Sequence, residues 1–203
     1  MERNELTDII KKQINGNSII RIAGYPSCGK TVLSKLLQSK RDNCVILEAE
    51  HWIFPLKERL QIGISGSNVK SYNLKKCILD INELLQKKQI EVGIYSHQEG
   101  DHVSYETISI DKETLIILDG TLFSLPVFDC FSDLCFNIIP EDIELWLKHA
   151  VERDLHERFF TVDEALNHNK RKHVDMKKLN NSDICRFINC LHLKEFKYSF
   201  NEN

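Results

Sequence analysis

The sequence predicts a three-layer α/β domain on a mainly parallel central sheet with a helical lid, and three observations carry that expectation. Short apolar runs alternate with longer segments of helical period. A glycine-containing loop stands between the first of these runs and the helix that follows it. The chain of 203 residues, 42% of them hydrophobic, is long enough to bury one substantial core and short for two domains of ordinary size, so a single domain over 1–203 is expected.

Ser18 to Ala23, Cys44 to Leu47, Leu115 to Leu118 and Leu134 to Ile139 are apolar or β-branched runs that end in turn or charged residues, as buried strands do. Helical segments separate them: Lys30 to Ser39, Leu74 to Lys88, Glu141 to Glu157, and a shorter one around Val162 to Asn169. In the second of these, Leu74, Cys77, Ile78, Ile81, Leu84 and Leu85 recur at three and four residues, which gives one face to the sheet. Ile184 to Asn189 is a further strand candidate, interrupted by Arg186. Met1 to Lys12 mixes acids and bases around Leu6, Ile9 and Ile10, the pattern of a short amphipathic helix and not of a signal peptide. Two regions break the alternation. Pro55 to Lys70, with Gly63 and Gly66, reads as irregular or loosely helical, and Glu91 to Ile110 as two short strands around Glu99-Gly100-Asp101. These insertions, about 55–70 and 91–110, follow the second strand. Ligands of α/β sheets sit at the carboxyl ends of strands, so both are placed to wall a substrate pocket.

A net charge of -3 gives no reason to expect nucleic acid, which usually selects a strongly basic face. Only Lys170, Arg171, Lys172, His173, Lys177 and Lys178 form a locally basic run, either a solvated helix or loop or a mobile segment that closes over phosphates. The seven cysteines include no Cys-x-x-Cys pair, which argues against a disulfide framework or zinc knuckle and for a reducing, cytoplasmic setting. Cys130 with Cys135 and Cys185 with Cys190 repeat one spacing among core-like neighbours, which favours buried packing over metal binding. No apolar run approaches membrane-spanning length, so no membrane partner is expected. A homo-oligomer is compatible with the sequence and not specified by it.

Gly24-Tyr25-Pro26-Ser27-Cys28-Gly29-Lys30-Thr31 fits the pattern Gly-x-x-x-x-Gly-Lys-Thr and lies between a predicted strand and a predicted helix. This is the phosphate loop of a P-loop NTPase fold. Gly24 and Gly29 let successive backbone N–H groups turn onto a β-phosphate at a helix N-terminus. Pro26 has no N–H, which leaves Cys28, Gly29, Lys30, Thr31 and Val32 as the expected cradle, with Ser27 in the same loop. Lys30 supplies a movable cation for β and γ oxygens, and the Thr31 hydroxyl suits Mg²⁺. ATP and Mg²⁺ are thus the expected cofactors. Cys28, beside a helix N-terminus, is expected to favour thiolate and to alkylate quickly unless MgATP shields it.

Phosphoryl transfer to an alcohol needs a base near the acceptor, a carboxylate managing Mg²⁺, and cations around the transferred group. Glu50, just past Cys44-Val45-Ile46-Leu47, is the candidate base, with a solvated strand exit as the alternative for Glu48 and Glu50. Asp119 closes Leu115-Ile116-Ile117-Leu118, where it can serve Mg²⁺ or cap a helix. Arg153 and Arg158 suit a lid because guanidinium donates to two phosphate oxygens, whereas a surface helix with ion pairs such as Arg153 with Glu157 is an equal account of the spacing. Triphosphate binding alone also fits a P-loop ATPase or nucleotide-binding regulatory protein. The guanine-selective Asn-Lys-x-Asp element of a switch is absent, since Asn169-Lys170-Arg171-Lys172 fails at its last position.

Together these stretches, from about Asn17 to Asp183, resemble the uridine kinase and phosphoribulokinase-like group of P-loop kinases. Val45 to Trp52 is similar to the segment that carries the family's acidic base and a following aromatic residue, which implies those roles for Glu50 and Trp52. Tyr95-Ser96-His97 is the counterpart of a Tyr-Asp-Phe segment, Asp119-Gly120 of a strand ending in Glu-Gly, Arg153-Asp154 with Arg158 of an Arg-Asp-x-x-x-Arg lid (about 153–175), and Ser182-Asp183-Ile184 of an Ala-Asp-Ile-Ile ending. The resemblance implies an ATP-dependent small-molecule kinase with a hydroxyl acceptor. Glu50 stands where the family has Asp, Ile94 where it has Pro, and Ser96 where it has Asp. These departures leave the ATP half intact and the acceptor open among a nucleoside, a sugar phosphate, a pantothenate-like alcohol and a specialised metabolite. Tyr95, His97 and His102 are the candidate substrate wall, through stacking or hydrogen bonding.

Overall fold

β1 (Ile19–Gly24) is buried from end to end and has a parallel neighbour on each side, β5 (Leu115–Asp119) and β6 (Cys135–Pro140). Strands covered on both faces and both edges read as continuous apolar runs, which is how the sequence presents them. The computed structural model describes residues 1–14, 18–132, 134–192 and 197–200, apart from the side chains of Glu157, His192 and Phe200. Its main sheet has the order β2-β5-β1-β6-β7-β8, with β2 at Cys44–Glu48, β7 at Cys185–His192 and β8 at Lys197–Phe200. Neighbouring strands are parallel except β8, which returns antiparallel along β7.

Alternate side chains leave a strand on opposite faces, and the core divides accordingly. On one face Ile20, Ile22, Ile117 and Phe136 meet Leu6 and Ile10 of α1 (Arg3–Gln13), Leu33 and Leu37 of α2 (Lys30–Ser39), and Trp146 and Ala150 of α5 (Ile143–Glu157). On the other, Ile19, Leu47, Ile116 and Leu118 meet Cys77, Ile81 and Leu84 of α4 (Leu74–Lys87). The expected helix–sheet–helix layering and the expected face of α4 are both present. Pro55 to Lys70 contains one short helix, α3 (Leu56–Gln61), and the next insertion is a separate antiparallel hairpin of β3 (Gln89–Ser96) and β4 (Asp101–Ser109).

The helix expected around Val162 to Asn169 runs on to Lys177 as α6 (Val162–Lys177), opened by a Thr161–Glu164 capping box. Its buried face consists of Ala165, Asn169, Lys172 and Met176, at helical spacing but half polar, so apolar periodicity fails to reveal its second part. The basic run is therefore helical and not uniformly solvated: Lys172 is buried. Arg186, which interrupts β7 in sequence, donates to Gln13 at the surface and leaves the strand unbroken. The short strand β8 was not among the expected elements.

Two local features matter below. Arg21, inside β1, is fully buried, and the fold supplies its counter-charge: Nη2 donates to Asp129 Oδ1 at 2.8 Å, while Nη1 donates to the Phe123 and Leu125 carbonyls. Among the paired cysteines, Cys135, Cys185 and Cys190 are buried, with Cys185 Sγ donating to Cys135 Sγ at 2.9 Å, but Cys130 is exposed at a turn and does not share the core packing expected for it.

Candidate active site

At the carboxyl edge of the sheet, Gly24 ends β1, Glu48 ends β2 and Asp119 ends β5, with Glu48 and Asp119 in register. The loop from Gly24 leads directly into α2. Gly24 has φ of +123°, and a Cβ there would lie 2.0 Å from the Ile138 carbonyl oxygen, so only glycine allows the loop to leave this close to β6. Ser27 and Gly29 are also left-handed, at φ 64° and 83°, which curls the loop before Lys30 opens the helix. The α5 helix braces the curl from behind: Trp146 Nε1 donates to the Pro26 carbonyl at 2.7 Å, and its ring meets Tyr25 edge-on.

Lys30 Nζ donates to the Tyr25 carbonyl at 2.7 Å, folded back over its own loop. Burial lowers its pKa, an effect opposed by the nearby Asp119 carboxylate. Asp119 is itself buried, with neither carboxylate oxygen hydrogen-bonded among the described residues, and burial pushes its pKa up to about 7 against the pull of Lys30. The neighbouring Thr31 hydroxyl also favours its charged form, although no hydrogen bond of ordinary geometry joins the two. The Ser27 hydroxyl oxygen is likewise buried without a partner. Unsatisfied buried oxygens beside a curled loop are the marks of a place for an ion and its polar ligand. No group of three or more His, Cys, Asp or Glu fit to hold a metal occurs among the described residues. Mg²⁺ takes one or two protein oxygens and draws the rest from phosphate and water. Thr31 and Asp119 suit that role.

These groups open onto a cavity of about 900 Å³. It brings together Ser27, Gly29, Lys30, Thr31 and Val32 of the loop with Glu50, Asp119, Tyr95, His97, Arg153 and Arg158. Glu50, on a short 3₁₀ turn after β2, has its pKa raised by burial and by Glu48, with Lys30 pulling it back. His97 is held down to about 4, first by burial and then by Arg158, Arg153, Lys172 and Arg59.

Four expected residues lie elsewhere. Gly24 sits beneath the loop against β6. The Cys28 side chain faces the core beside Cys190 and Tyr198, and burial raises its thiol pKa well above the ordinary value, which overturns the expected thiolate. Trp52 is 3% exposed, packed edge-on against Phe123 and donating to Asp80 Oδ2 at 2.7 Å, so it supports the wall from inside the core and does not line the cavity. His102 stands behind the wall, its Nε2 3.1 Å from the Glu50 carbonyl and its ring against Tyr95.

Asp154 of α5 is fully buried and gathers cations around itself: Arg153 Nη2 at 3.0 Å, Lys172 Nζ of α6 at 3.3 Å and Arg158 Nε at 3.5 Å. Asn169 Nδ2 completes the cluster at 2.9 Å. Both arginines thereby hold their guanidinium groups at the cavity wall. The Arg153–Glu157 pair weighed from spacing involves a side chain outside the described residues. Sequence reasoning missed Lys172 and Arg59 as cavity-lining cations. Lys172 lay within a noted basic run and Arg59 within a noted insertion, but no contiguous motif contains either.

No known protein-family profile matches the chain. It is 26% identical over 158 residues to a uridine kinase of Bacillus cereus (strain AH187), covering 73% of this chain and 72% of that protein. Among solved structures it superposes on a D-glycerate 3-kinase from Cryptococcus neoformans with a TM-score of 0.68 at 9% identity, over 98% of this chain and 99% of that one. It matches phosphoribulokinase from Rhodobacter spheroides with a TM-score of 0.59 at 15% identity, over 86% and 71%. The fold is that of the P-loop kinases. Within that class the chain is uridine kinase-like in sequence, and the solved structures it resembles include phosphoribulokinase.

Proposed function

We propose that this chain transfers the γ-phosphoryl group of ATP to a hydroxyl of a small molecule. The observation that carries the reading is the convergence of Lys30, Asp119 and Glu50 on one cavity beside a loop able to bind phosphate. The backbone N–H groups from Cys28 to Val32 hold the β-phosphate, and Lys30 exchanges its Tyr25 carbonyl for phosphate oxygens. When bound, Mg²⁺ supplies charge neutralisation on the triphosphate, held from the protein side by Thr31 and Asp119. Glu50, whose burial raises its proton affinity, orients the acceptor hydroxyl and takes its proton. Arg153 and Arg158, fixed through Asp154, neutralise charge that spreads over the transferred group. Tyr95 and His97 wall the acceptor. The acceptor class includes nucleosides and related metabolites, and the free thiols accord with a reducing cytoplasm.

The test is transfer of label from γ-labelled ATP into a panel of nucleosides, sugars and alcohols. Acceptor-dependent transfer is expected; nucleotide hydrolysis indifferent to every acceptor would favour a P-loop ATPase instead.

A further inference from the structure

Among the described residues three arginine or lysine side chains are deeply buried, and one of them is treated differently. Arg21 has Asp129, and Lys172 has Asp154. Arg59 on α3 is 6% exposed, yet no described carboxylate pairs with it. Its Nε donates to the Phe54 carbonyl at 2.9 Å and its Nη2 to the Tyr95 hydroxyl at 2.5 Å, both neutral acceptors. Nη1 makes no hydrogen bond among the described residues, and the side chain lines the same cavity as the phosphate loop, together with Tyr95 and His97. A buried guanidinium without a counter-charge is costly, and a fold retains one where an anion arrives to complete it. The planar fork, held by two bonds and lying against the Tyr95 ring with 5.7 Å between its carbon and the ring centroid, is oriented before any ligand comes. In the kinase reading the phosphate loop with Lys30 provides for the triphosphate, and Arg59, hydrogen-bonded to the proposed acceptor-wall residue Tyr95, is left for the acceptor.

We infer that the acceptor carries an anionic group, a phosphate monoester or a carboxylate, which Arg59 binds while Glu50 faces the hydroxyl. The inference rests on the kinase reading and narrows it: the neutral nucleoside of a uridine kinase would leave Arg59 unpaired. His97, neutral near pH 7 and surrounded by cations, adds a donor or acceptor beside the same group without opposing its charge.

Two measurements on the full chain test it. In the first, transfer from labelled ATP is compared for glycerol against glycerate and for ribose against ribose 5-phosphate, with uridine as a neutral reference. One charged acceptor should exceed its neutral partner by about 100-fold in kcat/KM, and Arg59→Gln should erase that preference through KM, with Arg59→Lys in between. The pair that responds separates carboxylate from phosphate. Preference for a neutral acceptor, or equal loss on charged and neutral acceptors in Arg59→Gln, overturns the inference. In the second, the melting temperature is followed as inorganic phosphate is added to protein saturated with Mg²⁺ and a non-hydrolysable ATP analogue, so that the loop is already filled. Wild type should be stabilised, Arg59→Gln should need at least about tenfold more phosphate, and Arg59→Lys should fall between. No response in wild type, or equal responses in all three, overturns the inference. Arg59-dependent phosphate binding without transfer to any acceptor leaves the anion site standing and removes the kinase reading. Transfer to uridine without such binding does the reverse.

Discussion

Lys172 Nζ of α6 stands 3.3 Å from Asp154 Oδ2 of α5, and that contact joins the two helices. Asp154 is a carboxylate shared by Arg153, Arg158 and Lys172, and burial with the two arginines brings the Lys172 pKa down to about 7 even though Asp154 supports its charge.

Replacing Asp154 by Asn should therefore loosen α6 from α5. The expected loss is about 3 kcal/mol, the range seen when one partner of a buried charge cluster is removed. Burial alone would raise the Asp154 pKa, but Lys172, Arg158 and Arg153 outweigh it and hold the group at about 2, below its ordinary 3.8. A depressed pKa stabilises the fold above the unfolded value and loses that contribution as pH falls through the folded one. Wild type should thus lose stability more steeply than Asp154→Asn between about pH 4 and pH 2, measured by urea midpoints across that window. Parallel slopes would show that the ion cluster does not tie α6 to α5.

The same cluster explains why half of α6 was illegible in sequence. The phosphate loop and the strands around it are contiguous signals: Gly24 to Thr31 names its own structure, and the runs at β1, β5 and β6 are apolar because both faces are covered. The face of α6 from Asn169 to Met176 is buried by polar pairing with a different helix, which no hydrophobic period records. Trp52 was misplaced for a related reason, since an aromatic residue next to Glu50 reads as wall until Phe123 and Asp80 are seen to claim it. Arg59 stands out because no described carboxylate pairs with it, and such a gap in space leaves no mark in a sequence.

Asp119 should make the protein less stable in base when no cation is present. Its folded pKa of about 7 exceeds the ordinary 3.8, so its contribution is complete below about pH 4 and is lost as pH rises through 7. Asp119→Asn removes the ionisation. In EDTA the variant should gain on wild type between pH 5 and pH 8 by a few kcal/mol at most, at about 1.4 kcal/mol per pH unit. Calorimetric melting at both pH values measures the gap, and a gap that stays constant would mean that Asp119 does not titrate there. With Mg²⁺ and ATP the order should reverse, because only the carboxylate is stabilised by the cation.

Alkylation should find Cys130 first. It is the exposed thiol, whereas Cys28 is buried against the core with its pKa raised. Peptide mapping after iodoacetamide should show slow modification of Cys28 with or without MgATP. Fast, nucleotide-protected modification at Cys28 would require the loop to turn its side chain outward.

Lys30→Ala and Glu50→Gln should separate binding from chemistry. In the proposed reaction Lys30 supplies charge at the phosphates, and in the structure it donates to a carbonyl of its own loop, so Lys30→Ala should abolish transfer while unfolding as cooperatively as wild type in urea. Glu50, the proposed base, sits on a turn whose carbonyl approaches His102 Nε2, and Gln keeps its size while removing its basicity. Glu50→Gln should lower kcat by about 10²- to 10⁴-fold, the usual contribution of a positioned base, with ATP affinity nearly unchanged. The variant should also be at least as stable as wild type, because burial disfavours the charged carboxylate that it removes. Single-turnover rates and nucleotide binding by calorimetry give the two numbers, and equal losses in both would move Glu50 from the base to a support of the nucleotide.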